Sequence, residues 1–267
     1  MRILLAILCI ISFSVSLHAQ DTLVRSDLYR FADATVFTYA RPIHWEKKDW
    51  MIFGGMVAGT AALTLLDEPT KKLFERMEAH YPNELEDIGY HYGKPYSAVA
   101  FTSVFYLTGV LFKDRWAKDT GLELGATLLT SGLLQTVLKE VVGRARPGTE
   151  LGPYKFRMPS KGSIAYHSFP SGHAAVAFGI SIVMARRIES KPIKILFYSL
   201  AASTALSRMH ANDHWISDIA FGAALAWACN KTVARRLTTN GRRENRFGRI
   251  SWSVAPSPKG LTLTGRL

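Results

Sequence analysis

The sequence predicts an all-α chain built around about six core helices. Six stretches of 14 to 18 residues are dominated by apolar side chains. They cover residues 51–66, 97–112, 121–138, 174–188, 193–206 and 216–230. A helical core buried in protein accounts for apolar segments of this length. The full length of 267 residues suits one domain with an extension at each end.

The first twenty residues are typical of an export signal. Arg2 is the charged start, residues 3–15 are apolar, and residues 18–20 form a cleavage zone, so we expect cleavage near residues 19/20. A retained signal anchor is the alternative. A short polar N-terminal region, residues 21–50, follows, and we assign residues 51–230 to the helical domain. Cys229, the one cysteine outside the signal, is interpreted as a core residue without a disulfide partner.

Charge is distributed unevenly over the segments between and after the helices. Residues 67–95 are acidic and predict a short helix over Thr70–His80. Residues 231–267 form a basic C-terminal tail with nine Lys or Arg and one Glu, within a total net charge of +12. Such a tail suits contact with anionic lipid phosphates or a solubilising role. Alternating apolar residues in 250–267 predict a short hairpin or strand.

The same charge pattern bears on partners and location. Basic residues in 113–118, 186–194 and the tail favour helices that span a membrane, with the motif loops outside. Lengths of 14 to 18 residues are short for a span, which favours a soluble or peripheral exported bundle. Both alternatives place the protein in a bacterial-type cell envelope, with the site facing the periplasm. Nothing in the pattern is typical of nucleic-acid recognition.

A histidine and a carboxylate four residues apart suggest an activated nucleophile. His214 and Asp218 would share one helix face, so the carboxylate is expected to hold one ring nitrogen of the imidazole. The other nitrogen then keeps a lone pair for attack. The adjacent Asp213 is expected to point elsewhere.

The tetrapeptide Pro-Ser-Gly-His before the apolar run at residue 174 predicts an anion site. Ser171 is the expected N-cap of that helix, and the free backbone N–H groups of the first turn attract phosphate. Gly172 permits close approach of an anion. His173 would lie beside it, where an imidazolium protonates a leaving alkoxide. His167 and Ser168 are further candidates for the lining of the pocket.

Three cations complete the pattern. Lys139 and Arg146 are two helical turns apart, although Pro147 predicts that the helix stops nearby. Arg208 joins them from the third motif. Fixed ammonium and guanidinium groups stabilise the charge on a phosphoryl group in transfer. Arg144 falls off this spacing and is interpreted as a solvated or lipid-facing cation.

The three motifs together resemble the type 2 phosphatidic acid phosphatase (PAP2) superfamily, which includes class A acid phosphatases and vanadium haloperoxidases. Its pattern is K-x6-R-P, P-S-G-H and S-R-x5-H-x3-D. Here the pattern is complete in Lys139–Pro147, Pro170–His173 and Ser207–Asp218. The resemblance covers roughly residues 90 to 230 and implies a PAP2-type helical bundle.

The resemblance also implies a role for each matched residue. It makes His214 the nucleophile, His173 the general acid and Asp218 the residue that orients the nucleophile. It assigns phosphate binding to the remaining motif residues, which are Lys139, Arg146, Arg208, Ser171 and Gly172. It implies phosphate-ester hydrolysis through a phosphohistidine, with no metal site and no cofactor.

Three alternatives for the function remain open at this stage. One is a phosphorylated lipid of the phosphatidate, undecaprenyl pyrophosphate or lipid A type. A soluble exported acid phosphatase acting on small phosphomonoesters is the second. The third is a haloperoxidase, which would need vanadate. The pattern contains no information on oligomeric state.

Overall fold

The structure is a computed structural model that describes residues 26–77, 81–247, 251–257 and 260–266. It has a helical body followed by one strand pair. The helices are α1 (residues 26–40), α2 (Lys47–Leu63), α3 (Asp67–Met77), α4 (Asn83–Tyr92), α5 (Pro95–Leu111), α6 (Arg115–Val142), α7 (Gly172–Arg187), α8 (Lys191–His210) and α9 (Ile216–Phe247). The strands are β1 (Ser251–Ser257) and β2 (Gly260–Arg266). The predicted signal, residues 1–20, lies outside the described residues.

All six predicted helices are present, as α2, α5, α6, α7, α8 and α9, but α2 is not a core helix because it buries none of its side chains. The predicted helix at Thr70–His80 corresponds to α3. The sequence analysis missed α1 and α4, since neither contains a long apolar run. The predicted C-terminal hairpin is also present, with β1 and β2 antiparallel and Ser251 paired with Arg266.

The long helix α6 organises the bundle. It packs against α5, α7 and α9, and α7 in turn packs against α8 and α9. One core cluster joins Leu124 and Leu128 of α6 to Ile180 and Val183 of α7. Each of these aliphatic side chains removes most of its apolar surface from water, which stabilises the fold by about 1.5–3 kcal/mol per residue.

A buried ion cluster joins three of these helices. Glu123 of α6 is fully buried, and its Oε1 accepts from Arg186 Nε at 2.8 Å and from Asn230 Nδ2 at 2.9 Å. Its Oε2 accepts from Arg187 Nε at 2.8 Å. The cluster therefore ties α6 to α7 and α9, 16 residues or about 24 Å before Lys139 along α6.

The outer face of the bundle is apolar in several places. Within the described residues, one helical stretch, Lys47–Met77, is long and apolar enough to cross a membrane. No side chain of α2 within it is buried in the protein. Large apolar side chains of α5 and α6 are also exposed, among them Leu107, Leu111, Leu133 and Val137. This surface suits contact with lipid tails better than with water.

We expect Glu123→Ala to lower the free energy of unfolding by about 3 kcal/mol. Removal of one partner from a buried ion cluster leaves the other charges uncompensated, and the partial exposure of Arg186 keeps the loss at the low end of the usual range. Thermal unfolding in detergent micelles measures the change. Glu189→Ala, at an exposed carboxylate between α7 and α8, is the control. Equal melting temperatures for the two variants would contradict the interpretation.

Candidate active site

The first motif lies at the end of α6 and in the turn that follows. Lys139 is in the last helical turn, and α6 ends at Val142. Gly143 follows with φ +55°, and a Cβ there would lie 1.8 Å from the carbonyl oxygen of Arg157. The helix therefore stops before Arg146, as Pro147 predicted. Lys139 and Arg146 nevertheless line the same cavity.

The second motif begins α7. The Oγ of Ser171 accepts from the backbone N–H of Ala174 at 3.3 Å, which confirms the predicted N-cap. Gly172 and His173 occupy the first turn and line the cavity beside Lys139. Helix α9 crosses this turn closely, because a Cβ at Gly222 would lie 2.5 Å from the carbonyl oxygen of Ser171. The first turn of α7 is thus held between α6 and α9.

Ser207 and Arg208, the first two residues of the third motif, lie in the last turn of α8. Arg208 is 3% exposed, and its Nη2 donates to Ser207 Oγ at 2.8 Å. Its guanidinium lies over the ring of Tyr90, 4.6 Å from the centroid, and His173 stacks on the same ring at 5.6 Å. Tyr90 of α4 therefore fixes both a predicted phosphate ligand and the predicted acid.

These residues meet at one end of a cavity of about 680 Å³. Lys139, Arg146, His173 and His214 line that end, and the rest is lined by apolar and small residues of α5, α6 and α7. In the part of the chain that the structure describes, the buried Nε atoms of Arg146 and Arg208 have no hydrogen-bond partner. Nε2 of His173 has none either. Buried donors without acceptors are costly, so this cluster suits an oxyanion.

Asp213 is a site residue whose function the sequence analysis missed. Its Oδ1 pairs with Arg146, and its Oδ2 accepts from Arg208 Nη1 at 2.8 Å. It points away from the His214 ring, as predicted, but towards Arg146 and Arg208, two predicted phosphate ligands. A sharp turn after α8 places it there, since its N–H donates to the carbonyl oxygen of Arg208 at 3.1 Å. No spacing rule in the sequence indicates this contact.

The structure corrects the expected contact between Asp218 and His214. Helix α9 begins at Ile216, so His214 precedes it and the i, i+4 geometry does not apply. Nδ1 of His214 lies 2.7 Å from the carbonyl oxygen of Ser168, which can only accept. Asp218 instead accepts from Ser168 Oγ at 2.5 Å and from the N–H of Trp215 at 3.0 Å. Asp218 therefore reaches His214 through Ser168.

The interpretation of Arg144 as a solvated or lipid-facing cation was wrong. The residue is 2% exposed, and its Nη1 and Nη2 lie 2.6 Å from carboxylate oxygens of Asp218 and Asp67. Its Nε donates to the carbonyl oxygen of Pro153 at 2.8 Å. The turn after Gly143 reverses the chain, which directs Arg144 into the protein. The contact with Asp67 is 77 residues away in sequence, beyond any local pattern.

His167 and Ser168 support the site from behind the cavity. The carbonyl oxygen of His167 accepts from Lys139 Nζ at 2.6 Å. The His167 ring turns away, with Nε2 2.9 Å from Glu140. Ser168 is fully buried between Asp218 and His214. Neither residue lines the cavity that the sequence analysis assigned to them, but their backbone carbonyls hold Lys139 and His214.

The clustered cations control protonation at the site. Burial and the charges of Arg208 and Lys94 lower the pKa of His173 to about 4. Burial and the charges of Lys139 and Arg146 lower the pKa of His214 well below its usual value. Burial and Arg146 lower the pKa of Lys139 to about 8. A bound dianion would oppose each of these shifts.

Parts of this chain are similar in sequence to proteins of known type. Residues 120–242 match the family model of the PAP2 superfamily. A lipid A 1-phosphatase from Rhizobium etli is 32% identical over 106 residues, which are 39% of this chain and 44% of that protein. A lipid A 1-phosphatase from Porphyromonas gingivalis is 31% identical over 93 residues, which are 33% of this chain and 21% of that protein. The matched region spans less than half the length of either relative.

A solved structure has the same fold. It is the transmembrane PAP2 type phosphatidylglycerolphosphate phosphatase from Bacillus subtilis, with a TM-score of 0.53 and 20% sequence identity. The likeness covers 75% of this chain and 98% of that chain. Residues 120–242, which contain all three motifs, match the PAP2 superfamily model, and the fold is that of a PAP2 type phosphatase.

Proposed function

We propose that the protein is a phosphatase that removes phosphate from lipids, with His214 as nucleophile and no metal or other cofactor. The observation that carries this proposal is a cluster of cations and two histidines at one end of an apolar cavity. The cations suit a phosphate group, and the apolar remainder suits a hydrocarbon chain. Relatives named as lipid A 1-phosphatases support a lipid substrate.

The first chemical step forms a phosphohistidine. Lys139, Arg146 and Arg208 hold the phosphate, together with the backbone at Ser171 and Gly172. Nε2 of His214 attacks phosphorus, so a P–N bond forms while the P–O bond to the lipid breaks. A protonated His173 gives its proton to the departing oxygen. The lipid alcohol then leaves along the apolar cavity.

The second step releases inorganic phosphate. Water attacks phosphorus and gives a proton to His173, which the first step left neutral. The P–N bond breaks, and its electron pair returns to Nε2 of His214. The enzyme is then in its starting state, with the proton on His173 and a neutral His214.

The contact at Nδ1 determines which nitrogen of His214 can attack. The carbonyl oxygen of Ser168 has no proton, so Nδ1 must donate across the 2.7 Å contact. In the neutral ring the lone pair then belongs to Nε2. The lowered pKa of His214 keeps the ring neutral near pH 7, as a nucleophile requires. His173 needs the opposite state, and a phosphate dianion beside it raises its pKa from about 4.

The cavity supports a lipid rather than a small ester as substrate. Beyond the cation cluster it runs between α5, α6 and α7, with Val99, Leu129, Leu133 and Val176 in its lining. The outer surfaces of α5 and α6 are themselves exposed and apolar, so a lipid in a membrane would meet the opening directly. We place the protein at the membrane of a bacterial-type envelope, with the site on the periplasmic side, in line with the export signal and the basic segments at 113–118 and 186–194.

We expect His214→Ala to abolish phosphate release. The assay uses purified protein with EDTA on p-nitrophenyl phosphate, phosphatidate, undecaprenyl pyrophosphate and lipid A. His44→Ala, at an exposed histidine before α2, is the control and should keep full activity. Near-wild-type turnover by His214→Ala would refute the assignment of the nucleophile.

The same panel distinguishes the alternative functions. Release confined to the lipids supports the proposal. Comparable release from p-nitrophenyl phosphate would favour an acid phosphatase for small esters. No release from any ester, with peroxidase activity on addition of vanadate, would favour a haloperoxidase.

The pKa of Lys139, about 8, predicts an alkaline loss of phosphate binding. In the free enzyme the ammonium loses its charge as the pH rises through 8, so kcat/KM should fall about tenfold per unit above that pH. A bound dianion keeps the lysine protonated, so kcat should fall only at higher pH. Lys139→Arg retains its charge, and the loss of kcat/KM should move to higher pH. An unchanged alkaline limb in this variant would contradict the assignment.

A bulky residue in the cavity should separate lipid from small substrates. Gly132 of α6 lines the cavity, and a Cβ there would meet no atom within 4 Å. Gly132→Phe is expected to lower kcat/KM for the lipid at least tenfold, because the ring occupies space needed by the hydrocarbon chain. Cleavage of p-nitrophenyl phosphate, which needs only the cation cluster, serves as the internal control and should stay within about twofold. Equal losses on both substrates would argue against a lipid in this cavity.

A further inference from the structure

The carboxylate of Asp67, far in sequence from the three motifs, is buried against the start of α9, just after His214. Asp67 begins α3 and is fully buried. Its Oδ2 accepts from Arg144 Nη2 at 2.6 Å and from Ser217 Oγ at 2.8 Å. Its Oδ1 accepts from the backbone N–H of Ser217, in the first turn of α9, at 3.1 Å. Asp67 thus binds Arg144, in the turn between Lys139 and Arg146, and caps the helix that follows His214.

An unbroken chain of short contacts leads from Asp67 to the imidazole. Arg144 Nη1 lies 2.6 Å from Asp218 Oδ1, and Asp218 Oδ2 accepts from Ser168 Oγ at 2.5 Å. The carbonyl oxygen of Ser168 then accepts from His214 Nδ1 at 2.7 Å. Every side chain in this series of contacts is at most 3% exposed, so water does not screen these charges.

The charges along this chain do not cancel. Asp67 and Asp218 are two carboxylates on one guanidinium, so the buried unit has a net charge of −1. Without Asp67, Arg144 would neutralise Asp218 completely. Attack on phosphorus makes the His214 ring cationic, and a negative unit behind Ser168 stabilises that cation in a buried site.

We propose that Asp67 is a positioning residue for the nucleophile. It holds Arg144 and the start of α9, and through them the Ser168 carbonyl that orients His214. It also maintains the negative charge behind the ring. Asp67 lies outside the PAP2 match at residues 120–242, and it directly follows the helical turn at the end of the apolar helix α2. This inference rests on the proposed function, in which His214 is the nucleophile.

The first test is the kinetics of Asp67→Asn. The variant keeps the shape of the side chain but removes its charge and sets an amide N–H among the donors of Arg144 and Ser217. We expect kcat to fall at least tenfold. KM and the inhibition constant of inorganic phosphate should stay within about twofold, because the phosphate ligands are untouched. Glu68→Gln, at the neighbouring carboxylate of α3, is the matched control and should retain wild-type kinetics.

A second pair of variants distinguishes an effect transmitted through these contacts from a general loss of stability. Arg144→Gln leaves Asp67 and Asp218 as two uncompensated buried carboxylates. The double variant with Asp67→Asn removes one of them, so its kcat should exceed that of Arg144→Gln alone. All assays are run well below the melting temperature of each variant. Where Asp67→Asn does not fold, Ser217→Ala removes the contacts of Ser217 Oγ with Asp67 and with Arg144 Nη1 and should lower kcat in the same direction.

A readout without turnover distinguishes this inference from the proposed function. In protein labelled with 15N-histidine, the Nδ1–H signal of His214 reports the bond to Ser168, and it should weaken or shift in Asp67→Asn but not in Glu68→Gln. A wild-type protein inactive on every ester would overturn the proposed function, while this signal would still test the positioning. An active protein in which Asp67→Asn changes neither kcat nor the signal would overturn the inference alone. Equal losses in kcat and phosphate affinity, or additive effects in the double variant, would also overturn it.

Discussion

The buried ion pair between Arg144 and Asp218 is the constraint on which the site depends. It joins the turn after α6 to the first turn of α9, two segments that contribute different parts of the chemistry. Burial raises the pKa of Asp218, and the guanidinium 2.6 Å away opposes that shift and favours the ionised carboxylate. As a carboxylate it accepts hydrogen bonds from Ser168 and Trp215, which hold His214 between them. Loss of the Arg144 charge would leave Asp218 without a cationic partner in the core, at a cost of about 3–5 kcal/mol.

The cation cluster of the candidate site has the opposite imbalance of charge. Three cations and two histidines converge, and Asp213 compensates two of the cations by bridging Arg146 and Arg208. The remaining positive charge, with buried Nε–H groups on both arginines that lack a partner among the described residues, suits the dianion of the proposed substrate. Such preorganisation lowers the reorganisation needed during phosphoryl transfer. Burial, together with this positive charge, lowers the pKa of His173 and of His214, so phosphate binding itself should adjust their protonation.

The fold connects this chemistry to an apolar environment. The cations lie at the end of α6 and the beginning of α7, and the apolar part of the cavity extends back between α5, α6 and α7. Helix α2 has no buried side chain of its own, yet the helix directly after it contributes Asp67 to the buried ion network. An apolar helix without buried side chains and the candidate nucleophile are therefore joined through one carboxylate.

The sequence by itself determined the helical class, the positions of six helices and the residue types at the site. Apolar runs of helical length and three short motifs carry that information locally, as does the N-cap at Ser171. It did not determine which carboxylate contacts which cation. Arg144 and Asp67 are 77 residues apart, and Asp213 and Arg146 are 67 apart, so chain folding alone brings them together. The i, i+4 rule failed for His214 and Asp218 because α9 begins only after His214, and the tertiary structure decided that a serine carbonyl takes the place expected for the carboxylate.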